Sequence, residues 1–325
     1  MSKNELDIPV FYGTFADLTK IDLSFINGKI VVYKGAKFRN FLKSIIANEA
    51  FSRSYRSVMS DDSQYAVMED ENVRRYAIIP VDVNKPLLEE NWHHFYQLIL
   101  SIYPSDFRLN QVVHFQLSGA EYNLSHKSLY KFNSTGDKYF DNFMYIHGSE
   151  YKFVRRYLQT YFYSSYKLKY VKYILTVFTN SFLETSPVYQ YLSLIICLEV
   201  TVDGIEQLSY KLKRNTALLC GNSIGSCEKI YENVNQLYKL RSAIVHGNIS
   251  PSYKNFQEYH DYLKALVARL IRELVVHNIS TVEVLNKKLT ALGYGQNNLI
   301  SDSYYPFKYP LVDNIRLKYR AIQKY

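Results

Sequence analysis

Residues 227–247 read CEKIYENVNQLYKLRSAIVHG, and they decide the architecture of the second half of the chain. Ile230, Val234, Leu237/Tyr238 and Ile244/Val245 recur at the three-to-four residue step that places side chains on one face of an α-helix. Ser226 is a candidate N-cap, Glu228 suits the positive end of the helix, and Gly247 can end it in a left-handed conformation. The spacing predicts a helix over 227–246. One place on its apolar stripe falls to residue 241, and residue 241 is arginine. A guanidinium on a buried face needs a partner, because taking the charge out of water is costly. Two readings stand side by side. Arg241 is either a structural ion-pair partner or snorkelling side chain, or it marks a functional site, where local rules tend to break.

His246 lies in the last turn of the same helix. Histidine titrates close to neutral pH, which suits proton transfer, and a helix C-terminus also favours a cation there for purely structural reasons. The Arg-x-x-x-x-His spacing is weak by itself, since the chain contains it twice: Arg241 with His246, and Arg272 with His277. In the helix predicted over 252–277, the stripe Tyr259, Leu263, Leu266, Leu270, Leu274 puts Arg272 on the opposite side, facing water, and His277 on the packed side. Only the first pair has its arginine on the apolar stripe.

The rest of the second half reads the same way. Helices are expected over 150–163, 166–183, 187–219 (with Gly204 a possible break) and 251–277, with Ser186-Pro187 and Ser250-Pro251 as cap-plus-proline starts. Glu199 interrupts an apolar helix and calls for a cation such as Lys213 or Arg214. The short connection 247–249 suggests that its flanking helices pack antiparallel. The first half is mixed. Strands are expected over 8–15, 29–34, 75–81 and 111–117, helices over 36–51 and 89–103, and loops over 60–71 and 134–141. The fold class is therefore α+β. A mixed α+β domain spans 1–149, an all-α helical bundle spans 150–285, and an aromatic and basic tail spans 286–325 that most simply docks on a domain.

A chain of 325 residues has ample material for such cores, and its net charge of +9 is unevenly placed. Residues 1–150 carry 16 Lys+Arg against 18 Asp+Glu, while residues 151–325 carry 23 against 12. A basic second half fits a polyanionic partner such as RNA. Arg155, Arg156 and Lys169, interleaved with Tyr and Phe, are candidate RNA-backbone contacts, or simply a solvated face over an aromatic core. Cys197, Cys220 and Cys227 form no C-x-x-C pair, as expected of a reducing compartment. No leader-like or membrane-spanning apolar run is seen, so the expected location is the cytoplasm, without a membrane partner. His93-His94 point about 100° apart and do not easily chelate together from one helix, so the pair reads as partly packed; no His/Cys/Asp/Glu set has ligand spacing, so neither metal nor other cofactor is expected. Phosphate-loop, dinucleotide and serine-hydrolase signatures are missing.

The string LYKLRSAIVHGN (237–248) resembles the signature of the HEPN superfamily, in particular its Apea-like branch. YLSLIICLEV (191–200) and SYKLKRNTALLCG (209–221) resemble the helices that precede it there, so the likeness covers roughly 150–280. The resemblance implies a helical bundle that usually dimerises, and in many members a metal-independent ribonuclease whose Arg and His from both protomers meet in one cleft. Carried over, Arg241 and His246 would be the catalytic pair. Ser242 fills a neighbouring position that is often Asn or Asp in the family, a mild departure. Such proteins often serve as toxins or in abortive infection and anti-phage defence, so a phage-derived trigger or an antitoxin protein is a possible partner besides RNA. Other members are silent RNA- or protein-binding modules, and a purely structural interaction domain is the third reading.

Overall fold

The computed structural model describes residues 5–14, 16–33, 35–46, 48–59, 74–85, 87–105, 107–118, 121–129, 144, 146–164, 168–203, 207–247, 253–293 and 310–317. The chain is α+β, mostly helical, and divides into two compact units. One comprises Met1–Tyr96, Ser105–Ser134 and Asp141–Arg155; the other comprises Gln97–Pro104, Thr135–Phe140 and Arg156–Tyr325. The loops expected over 60–71 and 134–141, the Gly204 break, the Ser250-Pro251 cap and the aromatic residues 304–309 lie outside the described residues.

The first unit is built on a six-stranded antiparallel sheet. Its strands are β1 (Glu5–Thr14), β2 (Asp22–Leu23), β3 (Gly28–Val32), β4 (Arg74–Pro80), β5 (Arg108–Ser118) and β6 (Glu121–Leu129), in the order β2-β3-β4-β1-β5-β6. Alternation along β1 sends Leu6, Ile8 and Val10 to one face, where they pack with Val31, Ala77, Ile79, Val113 and Phe115. The helices α1 (Ala36–Ile45) and α2 (Asn48–Met59) close that core with Phe38, Leu42, Ile45 and Val58. Phe11 points the other way, against Phe95 of α3 (Glu89–Ile102), Tyr96 and Phe107. Pro9 sits in a central strand beside a register shift at Val10/Phe11, where a missing N–H is least disruptive. The four expected strands are present. The short β2 and the edge strand β6 are additions, and the helix expected over 36–51 is two helices.

The second unit is helical. It contains the rest of α4 (Tyr151–Ser164), then α5 (Lys169–Leu183), α6 (Pro187–Glu199), α7 (Leu208–Cys220), α8 (Ile224–Val245), α9 (Tyr253–Val276), α10 (Val282–Gly293) and the short α11 (Pro310–Asn314). The helix expected over 187–219 is thus two helices. α8 starts earlier than its periodicity suggests. Ser223, not Ser226, is its N-cap, and Ser226 closes a reciprocal capping box with it. Gly247 follows the C-cap His246 at φ +67°, the left-handed stop anticipated for it.

α8 finds its main neighbour in α7, not in α9. The two form an antiparallel hairpin over a tight connection, and Gly221 is what permits it. A Cβ at 221 would run into Cys227 Sγ and lie 2.7 Å from the Ala217 carbonyl oxygen. Gly221→Ala is therefore expected to lower stability by about 1–3 kcal/mol through overpacking. Its urea midpoint would show this, and an unchanged midpoint would mean that the hairpin can open at no cost.

α9 is the centre of the bundle. It packs against α5, α6, α7 and α11, and every residue from 260 to 275 is buried. Arg272 accordingly does not face water as the leucine stripe suggests; it is 2% exposed and bonded to Glu273. His277, expected on the packed side, is half-buried, with its Nε2 3.3 Å from Glu273 Oε2. Arg269 meets Asp313 of α11 at 2.8 Å. The segment around α11 is clamped a second time by Asn233, whose side chain donates to the Ile315 carbonyl and accepts from the Leu317 amide, both at 2.9 Å. Residues 310–317 of the tail thus dock on the bundle, as part of its charge pairing. All three cysteines are free, and burial pushes the Cys197 and Cys220 thiols up.

Candidate functional site

The site assembles where α6 meets α8. Tyr191 on α6 is fully buried and donates its hydroxyl to the Leu237 carbonyl of α8 at 2.7 Å, which fixes the two helices against each other. Ile230, Asn233, Val234, Leu237 and Leu240 form the buried face of α8. Arg241 stands at its margin. Its side chain is 31% exposed, its Nε is 3.4 Å from Glu199 Oε1 at the end of α6, and its guanidinium lies 5.8 Å from the centre of the Tyr238 ring.

The partner of Glu199 is therefore Arg241, not Lys213 or Arg214. Lys213 instead donates to Asn235 on α8 at 3.3 Å. The Glu199 oxygen that faces Arg241 is shielded from solvent and takes no hydrogen bond, so the pair is charge-to-charge without the fork geometry of a tight arginine–carboxylate bond. Among the described residues no hydrogen bond occupies the guanidinium N–H donors of Arg241, so a second anion could take them. Tyr238 below and Glu199 beside it orient the group without filling its donors.

Ser242 is half-buried next to Arg241, and His246 is exposed at the helix C-cap, where its own amide bonds back to the Ser242 carbonyl at 3.1 Å. Among the described residues neither a hydrogen bond nor an ion pair joins Arg241 to His246. An ideal helix separates residues five apart by about 140°, which accounts for the divergence. Val245, 52% exposed, and the half-buried Ile244 leave the end of α8 partly apolar. Ile196, one turn before Glu199 on α6, is also exposed.

The other candidates are dispersed. Arg155 is committed to Asp22 at 2.8 Å. Arg156 on α4 and Lys169 at the start of α5 are exposed. His93 pairs with Glu89 at 3.5 Å, and burial lowers its pKa against the pull of that carboxylate. Among the described residues no group of three or more His, Cys, Asp or Glu side chains is placed to hold a metal ion.

Sequence reasoning missed a polar relay in the first unit. His114 Nδ1 lies 2.7 Å from Asp7 Oδ1, its Nε2 lies 2.9 Å from Ser128 Oγ, and its ring stacks on His126 at 4.2 Å. Asp7, His114 and His126 face each other across β1, β5 and β6. The hydrogen bonds are those of a nucleophile–base–carboxylate set. Acyl chemistry also needs N–H donors converging beside the hydroxyl. In a paired strand those N–H groups lie in the plane of the sheet, at right angles to the side chains. The relay ties three strands together, and its signal, three polar residues scattered over 121 positions, is not visible in any local pattern.

Comparisons with family models, curated proteins and solved structures find no match for the chain.

Proposed function

We propose that this protein is a metal-independent endoribonuclease of the HEPN type, Apea-like branch, acting as a toxin or in abortive-infection defence. The observation that carries the reading is Arg241, a half-buried guanidinium oriented by Glu199 and Tyr238, five residues before an exposed His246 in the string LYKLRSAIVHG. The chemistry suits the residue types. A ribose 2′-hydroxyl attacks the adjacent phosphorus and the 5′-oxygen leaves. Arg241 holds the phosphate through two N–H donors and stabilises the charge that develops on it. His246 moves the proton, as base toward the 2′-hydroxyl or acid toward the leaving oxygen. Ser242 lies beside them as a possible hydroxyl contact.

The divergence of Arg241 and His246 on one helix supports a composite site, in which the arginine of one protomer meets the histidine of its partner. The exposed Val245 and Ile196 around that helix end give a second copy apolar surface to cover. The first unit, with its separate core, would sense the trigger or restrain the nuclease.

Purified protein incubated with total RNA in EDTA tests the reading. The expected result is cleavage that leaves 2′,3′-cyclic phosphate ends. Cleavage that requires added Mg²⁺ and leaves 5′-phosphates would falsify it. RNA binding without any cutting would point to the silent binding module.

A further inference from the structure

A second stripe runs along α8, distinct from its buried face. Tyr231, Asn235 and Tyr238 recur at steps of four and three and are all half-buried; Ser242 continues the line. From α7, Lys213 reaches across the hairpin. Its ammonium sits 5.1 Å above the Tyr231 ring and donates to Asn235. Tyr210, three residues before Lys213 and thus on the same face of α7, is 51% exposed. At the far end, Arg241 lies over Tyr238. The groove between α7 and α8 therefore carries two cation–aromatic pairs, Lys213/Tyr231 and Arg241/Tyr238, seven residues apart, or about 10 Å along the helix. It leads directly to Arg241.

We propose that this α7–α8 groove binds single-stranded RNA and feeds it to Arg241. The proposal rests on the ribonuclease reading for the identity of the polymer and adds its form and its path. Three features favour that occupant. The charge balance of residues 151–325, 23 basic against 12 acidic, attracts a polyanion. Flat tyrosine faces alternating with cations are the elements of a strand-tracking platform, where bases stack and phosphates meet Lys or Arg. Unpaired bases can reach such faces, whereas a duplex keeps its bases stacked on each other and offers only backbone. The candidate patch drawn from sequence, at Arg155, Arg156 and Lys169, lies on other helices, and Arg155 is already paired.

The test separates binding from cutting by using a labelled 2′-O-methyl RNA strand of about ten nucleotides, which has no free 2′-hydroxyl to attack. Fluorescence anisotropy should show the single strand bound at least about tenfold more tightly than its duplex. Tyr231→Ala and Lys213→Ala should each weaken the single strand by about tenfold, Tyr231→Phe should not, and Lys213→Ala should lower the salt slope by about one. With cleavable RNA, Tyr231→Ala should raise KM more than it lowers kcat. Melting curves of the same variants exclude unfolding as the cause. If wild type binds and both alanine variants bind equally well, the groove is wrong while the ribonuclease reading survives. Equal affinity for duplex overturns the single-strand assignment. If the variants lose binding but wild type leaves unmodified RNA intact, the groove stands and the ribonuclease reading falls. No RNA binding at all overturns both.

Discussion

Arg241→Ala is expected to reduce RNA cleavage in EDTA by about 10³-fold while moving the melting temperature little. The size follows from the role. An arginine that stabilises charge on a transferring phosphate contributes on the order of 10³-fold or more, because it acts where charge develops and not merely where substrate rests. Arg241→Lys should recover only a small part of the activity, since an ammonium is a point charge without the two-donor fork. His246→Ala should fall comparably in rate, and its exposed position predicts no loss of stability. The pair with Glu199 sits at a half-exposed margin and lacks hydrogen-bond geometry, so breaking it costs about 1 kcal/mol or less. The two-readout design matters. Cleavage rates and melts on the same samples distinguish a catalytic arginine from a structural one: wild-type cutting by Arg241→Ala together with a large drop in melting temperature would assign the residue to the fold alone. Glu199→Gln serves as the intermediate case. It keeps the shape and removes the orienting charge, so it should slow cleavage less than Arg241→Ala does.

Arg241 could be found in the sequence because the helical period leaves only one place for it, and that place asks for an apolar residue. Its partner could not. Glu199 lies 42 positions away on another helix, and the 3.6-residue period carries no information between helices. Lys213 and Arg214 are closer in the chain than Arg241, yet the antiparallel turn of α7 on α8 sends Lys213 to Asn235 and Tyr231 instead. The α7–α8 groove was hidden for the same reason, since half of it comes from each helix. β6 escaped notice because its sequence, EYNLSHKSL, is polar on an edge strand and lacks the β-branched run that marks a central one. The most instructive misreading is α9. Its leucine stripe implies an outer helix with a polar back, and the period is right. What the pattern cannot tell is that other helices stand on the polar side too. There Glu273, the next residue, neutralises Arg272, which the pattern places in water, and Asp313, from a five-residue helix 44 positions on, does the same for Arg269.

That inner network gives the largest expected effect on stability. Glu273→Ala should destabilise the protein by about 3–5 kcal/mol, because it removes the carboxylate shared by Arg272 and His277 and leaves the Arg272 charge buried without it. Against a typical domain stability of about 5–15 kcal/mol this is a large fraction, and a urea titration would read it as a fall in midpoint at constant slope. The pH dependence has a definite sign. Burial pushes the Glu273 carboxyl up, but the His277 hydrogen bond and the Arg272 and Arg269 guanidiniums outweigh burial and hold it below the ordinary glutamate value of 4.5. A carboxyl whose folded pKa is depressed contributes its full stabilisation above the unfolded value and loses it as pH falls through the folded one. The gap between wild type and Glu273→Gln should therefore be constant near neutrality and close only below about pH 4.5. A gap that already closes well above pH 4.5 would mean instead that a group other than the Glu273 carboxyl governs the network. Because α6 and α7 both lean on α9, the Glu273 variants should lose RNA cleavage in step with their loss of folded protein. At temperatures well below their melts they should cut at the wild-type rate, which sets them apart from Arg241→Ala, folded and inactive.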